Sequence, residues 1–167
     1  IKLIAQAKRL SKEKISALVS PALVKKSSML ASVNDVFNAC LVRGDMTGDV
    51  LLYGKGAGGS ATASAVVGDI IDCADNREKR KVFGWNEPKK DFVENYLKVP
   101  TALYVRVKGG EKEKEKVLSA FENADILEDK EKGEFVFITE KKEEGALREL
   151  LSSLGLEIAS TFRVTDY

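Results

Sequence analysis

The run Tyr53-Gly-Lys-Gly-Ala-Gly-Gly-Ser-Ala-Thr-Ala63 holds the residues best suited to ligand chemistry, with Gly54, Gly56, Gly58 and Gly59 crowded together and Gly68 further on. Glycine has no Cβ, so the chain can turn sharply there and bring bare backbone N–H groups up to a ligand. Asp49–Tyr53 ahead of the run reads as a strand, and Thr62–Ala74 behind it reads as a helix. A helix N-terminus adds unpaired donors and a partial positive charge, which suits a phosphate or another anion. Gly54, Gly56 and Gly59 satisfy G-x-G-x-x-G literally. That fingerprint, however, needs a βαβ unit with an acidic residue ~20 residues on. Here the helix leads into the charged run Asn76-Arg-Glu-Lys-Arg-Lys81 and not into a strand. The glycines therefore do not open a nucleotide fold. A tight turn that lets a helix pack closely is the plain alternative.

The chain has no histidine. Ser–His–Asp, Cys–His and histidine-ligated metal sites are thereby excluded. Acid–base work would fall to Lys, Asp, Glu or Tyr. Asp69 and Asp72 lie i,i+3 on the expected helix, off its apolar stripe, and with Asp45 and Asp49 they read as solvated carboxylates. Lys2, Lys8 and Lys55 have the right type for a proton donor, but nothing around them singles one out. No catalytic residue and no metal site is assigned. Cys40 and Cys73 show neither metal spacing nor a disulfide framework, which fits a reducing cytosol. An apolar share of 44% with a charged share of 32% marks a globular chain. No apolar run reaches the ~18 residues of a membrane span. A net charge of +1 gives no pull toward nucleic acid or an acidic membrane. The expected protein is cytoplasmic, with no nucleic-acid and no membrane partner.

The elements that would position the glycine run follow from hydrophobic spacing. Ile1, Leu3/Ile4 and Ala7 fall on one helical face. Ile15–Val24 reads as a strand, and Pro21 within it points to an edge or a bulge. Met29–Val36 is short and helical or irregular. Phe37–Val42 and Asp49–Tyr53 flank the turn Gly44-Asp-Met-Thr-Gly48 and read as an antiparallel hairpin. In Thr62–Ala74, Ala63, Val66, Val67, Ile70, Ile71 and Ala74 make an apolar stripe, with Ser60 or Thr62 to cap the start and Gly68 to mark close packing. Residues 77–98 read as a linker, with a short helix around Asp91–Leu97 and a docked Trp85. Strand Ala102–Lys108, helix Glu111–Ala124, strands Asp125–Asp129 and Glu134–Thr139, helix Glu143–Leu154 ended by Gly155, and strand Leu156–Val164 follow. This β-α-β-β-α-β order is that of a ferredoxin-like sandwich. The fold class is α+β, an antiparallel sheet segment with packing helices followed by the βαββαβ domain.

Leu30-Ala-Ser-Val-Asn-Asp-Val-Phe-Asn-Ala39, Tyr53-Gly-Lys-Gly-Ala-Gly-Gly59 and Thr62-Ala-Ser-Ala-Val-Val-Gly-Asp69, together with Ile1–Arg9 and Ser20-Pro-Ala-Leu-Val24, resemble homoserine dehydrogenase. Residues 1–76 are similar to the C-terminal part of its catalytic and dimerisation region, and 99–167 look like an ACT regulatory domain. The resemblance implies NAD(P)-dependent interconversion of L-homoserine and aspartate semialdehyde, on the route to threonine and methionine. It also places the Rossmann domain and the catalytic lysine ahead of Ile1, so the chain is expected to be a fragment, to bind no cofactor by itself and to be inactive alone. By the same resemblance the glycine segment approaches the nicotinamide end of the cofactor. Gly58 is then the leading contact, with Gly56, Ala57 and Thr62 behind it.

The resemblance further implies an effector loop at Lys108, Gly109 and Gly110, with threonine as the effector, although the family's Asp-x-Pro-Gly reads here as Lys108-Gly-Gly-Glu111. A homodimer is expected. A stand-alone amino-acid-sensing or dimerisation module without catalysis is the alternative.

Overall fold

The computed structural model describes residues 1–77, 84, 86–87, 89–127 and 133–165. The elements run β1 (Lys2–Arg9), β2 (Ile15–Leu23), a 3-10 turn (Met29–Ser32), β3 (Phe37–Gly44), β4 (Gly48–Lys55) and α1 (Gly59–Asp75). A second 3-10 turn (Tyr96–Lys98) leads into β5 (Pro100–Lys108), α2 (Glu111–Ala120), β6 (Asp125–Leu127), β7 (Glu134–Ile138), β8 (Lys142–Glu143), α3 (Glu144–Ser153) and β9 (Glu157–Val164). They form two compact units, Ile1–Lys25 with Pro88–Tyr167, and Lys26–Glu87. These units cut the chain differently from the sequence division into 1–76, 77–98 and 99–167, because β1 and β2 join the sheet of the C-terminal strands.

That sheet runs β1-β2-β9-β5-β7-β6, with β8 beside β5. Along β5, Leu103, Val105 and Val107 are buried while the residues between them are not, the period-two signature of a sheet with one core face. α2 adds Val117, and α3 adds Leu147 and Leu151 at i,i+4 spacing. Phe135 and Phe137 of β7 complete the core together with Phe121. The rings of Phe121 and Phe137 are 5.5 Å apart and tilted. Burying side chains of this size is worth roughly 1.5–3 kcal/mol each, so this cluster dominates the stability of its unit.

One carboxylate sits in this core. Glu144, 1% exposed, opens α3 and accepts from Arg163 Nε at 2.7 Å and Nη2 at 2.7 Å, and from Arg148 Nε at 2.8 Å. The Arg163 guanidinium also lies 5.5 Å from the Tyr96 ring centroid.

Several sequence expectations change. Lys2–Arg9 form a strand and not a helix. Their burial alternates with period two, and β1 pairs antiparallel with β2 along its whole length, from Lys2↔Ala22 to Arg9↔Ile15. Ile1, Leu3 and Ala7 fit both periods, and the cross-strand ladder decides between them. The sheet is not wholly antiparallel, because β2 runs parallel to β9 at Ala22↔Arg163 and Leu23↔Val164. β2 continues through Pro21, opposite Leu3. α2 stops at Ala120, since Phe121 turns extended and sends its ring into the core. Around Asp91–Leu97 there is no α-helix. Val93 instead bridges to Ile15, and the 3-10 turn begins at Tyr96, with Asn95 capping it. α3 ends before Gly155, whose φ of 59° suits a helix stop. Trp85 and the end of the expected strand Asp125–Asp129 lie outside the described residues.

In the unit Lys26–Glu87, β3 and β4 pair antiparallel from Phe37↔Lys55 to Gly44↔Gly48. Arg43 donates to both Asp49 carboxylate oxygens, at 2.6 and 2.8 Å, and this holds the Asp49 carboxyl below its usual range. Phe37 and Tyr53 stack at 5.0 Å. α1 carries the expected apolar stripe, yet Val66, Val67, Ile70 and Ile71 are 52–62% exposed. No described residue of this unit is buried.

Candidate functional site

β4 ends at Lys55 and α1 starts at Gly59, so Gly56, Ala57 and Gly58 are the turn between them. The Gly56 N–H donates to the Val36 carbonyl at 3.0 Å, which seats the turn against the entry to β3. A Cβ on Gly56 would stand 1.5 Å from Asn38 Nδ2, so a side chain here would have to push the exposed Asn38 side chain aside. Gly58 is required for a different reason. It holds φ 113° and ψ 145° as the residue before the helix, a backbone region closed to side-chain-bearing residues. No atom lies within 4 Å of where its Cβ would be.

The helix start has no side-chain cap. Ser60 and Thr62, expected as caps, lie inside the helix. The Thr62 N–H donates to the Gly58 carbonyl at 3.0 Å, the first bond of the helical ladder. The N–H groups of Gly59, Ser60 and Ala61 precede that ladder and have no intrahelical acceptor. The first turn contains no acidic residue, so no carboxylate of its own competes for these donors. Gly56, Ala57, Gly58 and Thr62 are all exposed. The four candidate cofactor residues thus come together on one bare turn at a helix N-terminus. Asp72, the helical carboxylate considered with Asp69, accepts from Asn76 Nδ2 at 2.9 Å. Among the described residues no group of three or more metal-ligating side chains forms.

The second candidate, Lys108, Gly109 and Gly110, joins β5 to α2. Lys108 Nζ donates to Glu157 Oε1 at 2.6 Å, which raises the pKa of the ammonium. The Gly109 N–H donates to the Gly133 carbonyl at 2.9 Å. The Gly110 N–H donates to Glu113 Oε2 at 2.9 Å, and this bond, with one from the backbone of Glu113 itself, holds the Glu113 carboxyl below its usual range. A Cβ on Gly109 would stand 2.6 Å from Glu113 Cγ. The three residues adjoin as expected, but each already has a partner. The sequence reading missed Glu113. Its signal was the acid three positions after the cap, the spacing of a capping box.

Residues 1–71 match the family model of homoserine dehydrogenase. The relatives and the solved structures that this chain is similar to carry the same family name as that model. The homoserine dehydrogenase of Mycobacterium tuberculosis is 41% identical over 106 residues, which are 61% of this chain and 22% of that protein. That of Helicobacter pylori is 38% identical over 107 residues, 64% of this chain and 25% of that protein. The chain thus spans about a quarter or less of the length of these homoserine dehydrogenases. A crystal structure of Staphylococcus aureus homoserine dehydrogenase superposes with a TM-score of 0.70 at 28% identity, covering 99% of this chain and 42% of that one. The fold is shared as well with the homoserine dehydrogenase of Thiobacillus denitrificans, at a TM-score of 0.74 and 24% identity, covering 99% and 42% of the two chains. Among the described residues no helix is long and apolar enough to cross a membrane.

Proposed function

We propose that these residues form the C-terminal part of a cytoplasmic homoserine dehydrogenase, in which Gly56, Ala57, Gly58 and Thr62 wall the nicotinamide end of an NAD(P) cofactor held elsewhere in the enzyme. The observation that carries this is the bare turn. Gly58 combines a glycine-only backbone with open space at its Cβ position and uncapped N–H donors beside it. A flat ring could approach such a surface closely, with backbone groups as its only polar contacts. The dinucleotide, when bound, supplies the hydride chemistry that links L-homoserine and aspartate semialdehyde. The residues of this chain would orient and enclose it. The 167 residues by themselves transfer no hydride in this reading.

Residues 99–167 would form an ACT domain of ferredoxin-like topology. The sheet order β9-β5-β7-β6 with α2 and α3 between its strands supports that assignment. The protein would act as a homodimer. In support, a hairpin and one helix without a buried residue cannot stand alone in water, and the exposed stripe of α1 needs a cover.

A second reading, an amino-acid-sensing or dimerisation module without catalysis, draws on the fact that the hydrophobic core cluster is built from residues between Leu103 and Leu151. Calorimetry on the purified chain with NADPH and with threonine separates the two. Threonine binding with no trace of catalysis by the complete gene product favours the module. Homoserine-dependent NAD(P) reduction by that product, lost when the glycine turn is altered, favours the dehydrogenase.

A further inference from the structure

Beside the buried Glu144 lies a cavity of about 100 Å³ lined by Pro21, Leu103, Arg148, Thr161, Phe162 and Arg163. It opens where the parallel ladder between β2 and β9 begins. Ala22 and Leu23 pair with β9, whereas Pro21, just before them, has no N–H to give. Two guanidiniums border the cavity and share one carboxylate. Arg163 spends Nε and Nη2 on Glu144. Arg148 spends Nε and Nη2 on it as well, with Nη2 at 2.7 Å from Oε1. Each guanidinium carries five N–H donors, so donors remain on both, and the cluster of Arg148, Arg163 and Glu144 has a surplus positive charge. The Arg163 side chain is 18% exposed and that of Arg148 48% exposed. The surplus charge is thus partly desolvated but can be reached from water. Thr161 adds a hydroxyl, and Pro21, Leu103 and Phe162 supply apolar walls.

We propose that this cavity binds a small oxyanion, a carboxylate or a phosphate, on Arg148 and Arg163. Planar guanidiniums match the paired oxygens of both groups. The volume sets the size limit. It is well under the roughly 300 Å³ at which cavities for drug-sized ligands begin, so the anionic head group fits and a dinucleotide does not. No residue of the glycine turn lines this cavity, and the proposal does not depend on the proposed dehydrogenase activity.

The test is titration of the purified protein with inorganic phosphate and, separately, with acetate, followed by NMR shifts of the Thr161, Phe162 and Arg163 amides and by calorimetry. Sodium chloride at matched ionic strength is the control. The expected result is saturable binding of at least one of the two anions, with the stronger of them naming the natural head group. Arg148→Gln should weaken binding about tenfold or more, the loss of a charge-assisted contact. Thr161→Ile, which fills the cavity with a residue suited to a strand, should abolish binding while leaving both arginines in place. Absence of saturable binding, or binding unchanged in both variants, overturns the proposal.

Discussion

Gly58→Ala isolates the conformational demand of the turn from any contact. No atom of the chain lies within 4 Å of the added methyl group, so there is no steric cost inside the protein. The cost comes from φ 113° and ψ 145°. Holding a side-chain-bearing residue in such a region costs about 1–3 kcal/mol. The bond that would give way is the first of the helix, from the Thr62 N–H to the Gly58 carbonyl at 3.0 Å. Local opening of that bond should become about 5- to 150-fold more frequent, since each 1.4 kcal/mol is about tenfold in an equilibrium. Amide hydrogen exchange at Thr62 reads this directly. Gly54→Ala is the control, because its Cβ also meets open space and its backbone is not in the positive-φ region. Thr62 should exchange faster in Gly58→Ala and unchanged in Gly54→Ala. Equal rates in Gly58→Ala and the unaltered protein would refute the argument that this glycine is fixed by backbone geometry.

Gly56→Ala must push the exposed Asn38 side chain aside, so the Asn38 side-chain amide signals should shift in NMR spectra of Gly56→Ala and stay in place in Gly54→Ala, whose added Cβ meets open space. Glu144→Ala strands two guanidiniums, one of them largely buried, so unfolding should show a loss of about 3–5 kcal/mol; a loss below about 1 kcal/mol would mean the cluster is not a structural unit. The Glu113 carboxyl has its folded pKa lowered below 4.5, so what it contributes at Gly110 is present above the unfolded value and is lost as pH falls through the folded one. The Gly110 amide shift should therefore titrate below pH 4.5, and in Glu113→Gln that titration should vanish.

The hairpin, the glycine turn and the long helix behind it were legible because each rests on local signals: turn residues at Gly44–Gly48, alternation on either side, and an apolar stripe from Ala63 to Ala74. The order of elements after residue 100 was legible for the same reason, apart from the two-residue strand β8, which was missed. Long-range pairing was not. Ile1–Arg9 was read at helical spacing, and only the ladder to β2 and the join from Ala22 to Arg163 show it to be a strand. The site candidates followed a similar division. Residue type located the bare glycines. That Glu113 already occupies the amide of Gly110 was missed, although the acid stands at capping-box spacing, three positions after the cap. The buried Glu144 was hidden in a charged stretch whose partners lie up to 19 residues away.

The most direct test of the central claim is spectrophotometric. The polypeptide made from the complete reading frame that encodes these residues is supplied with L-homoserine and NAD or NADP, and absorbance of the reduced nicotinamide is followed. The account predicts homoserine-dependent reduction by that product, a sharply reduced rate in its Gly58→Val variant, and none from the 167-residue chain alone. A complete product with no homoserine-dependent reduction, or a 167-residue chain that carries out the reaction unaided, would contradict it.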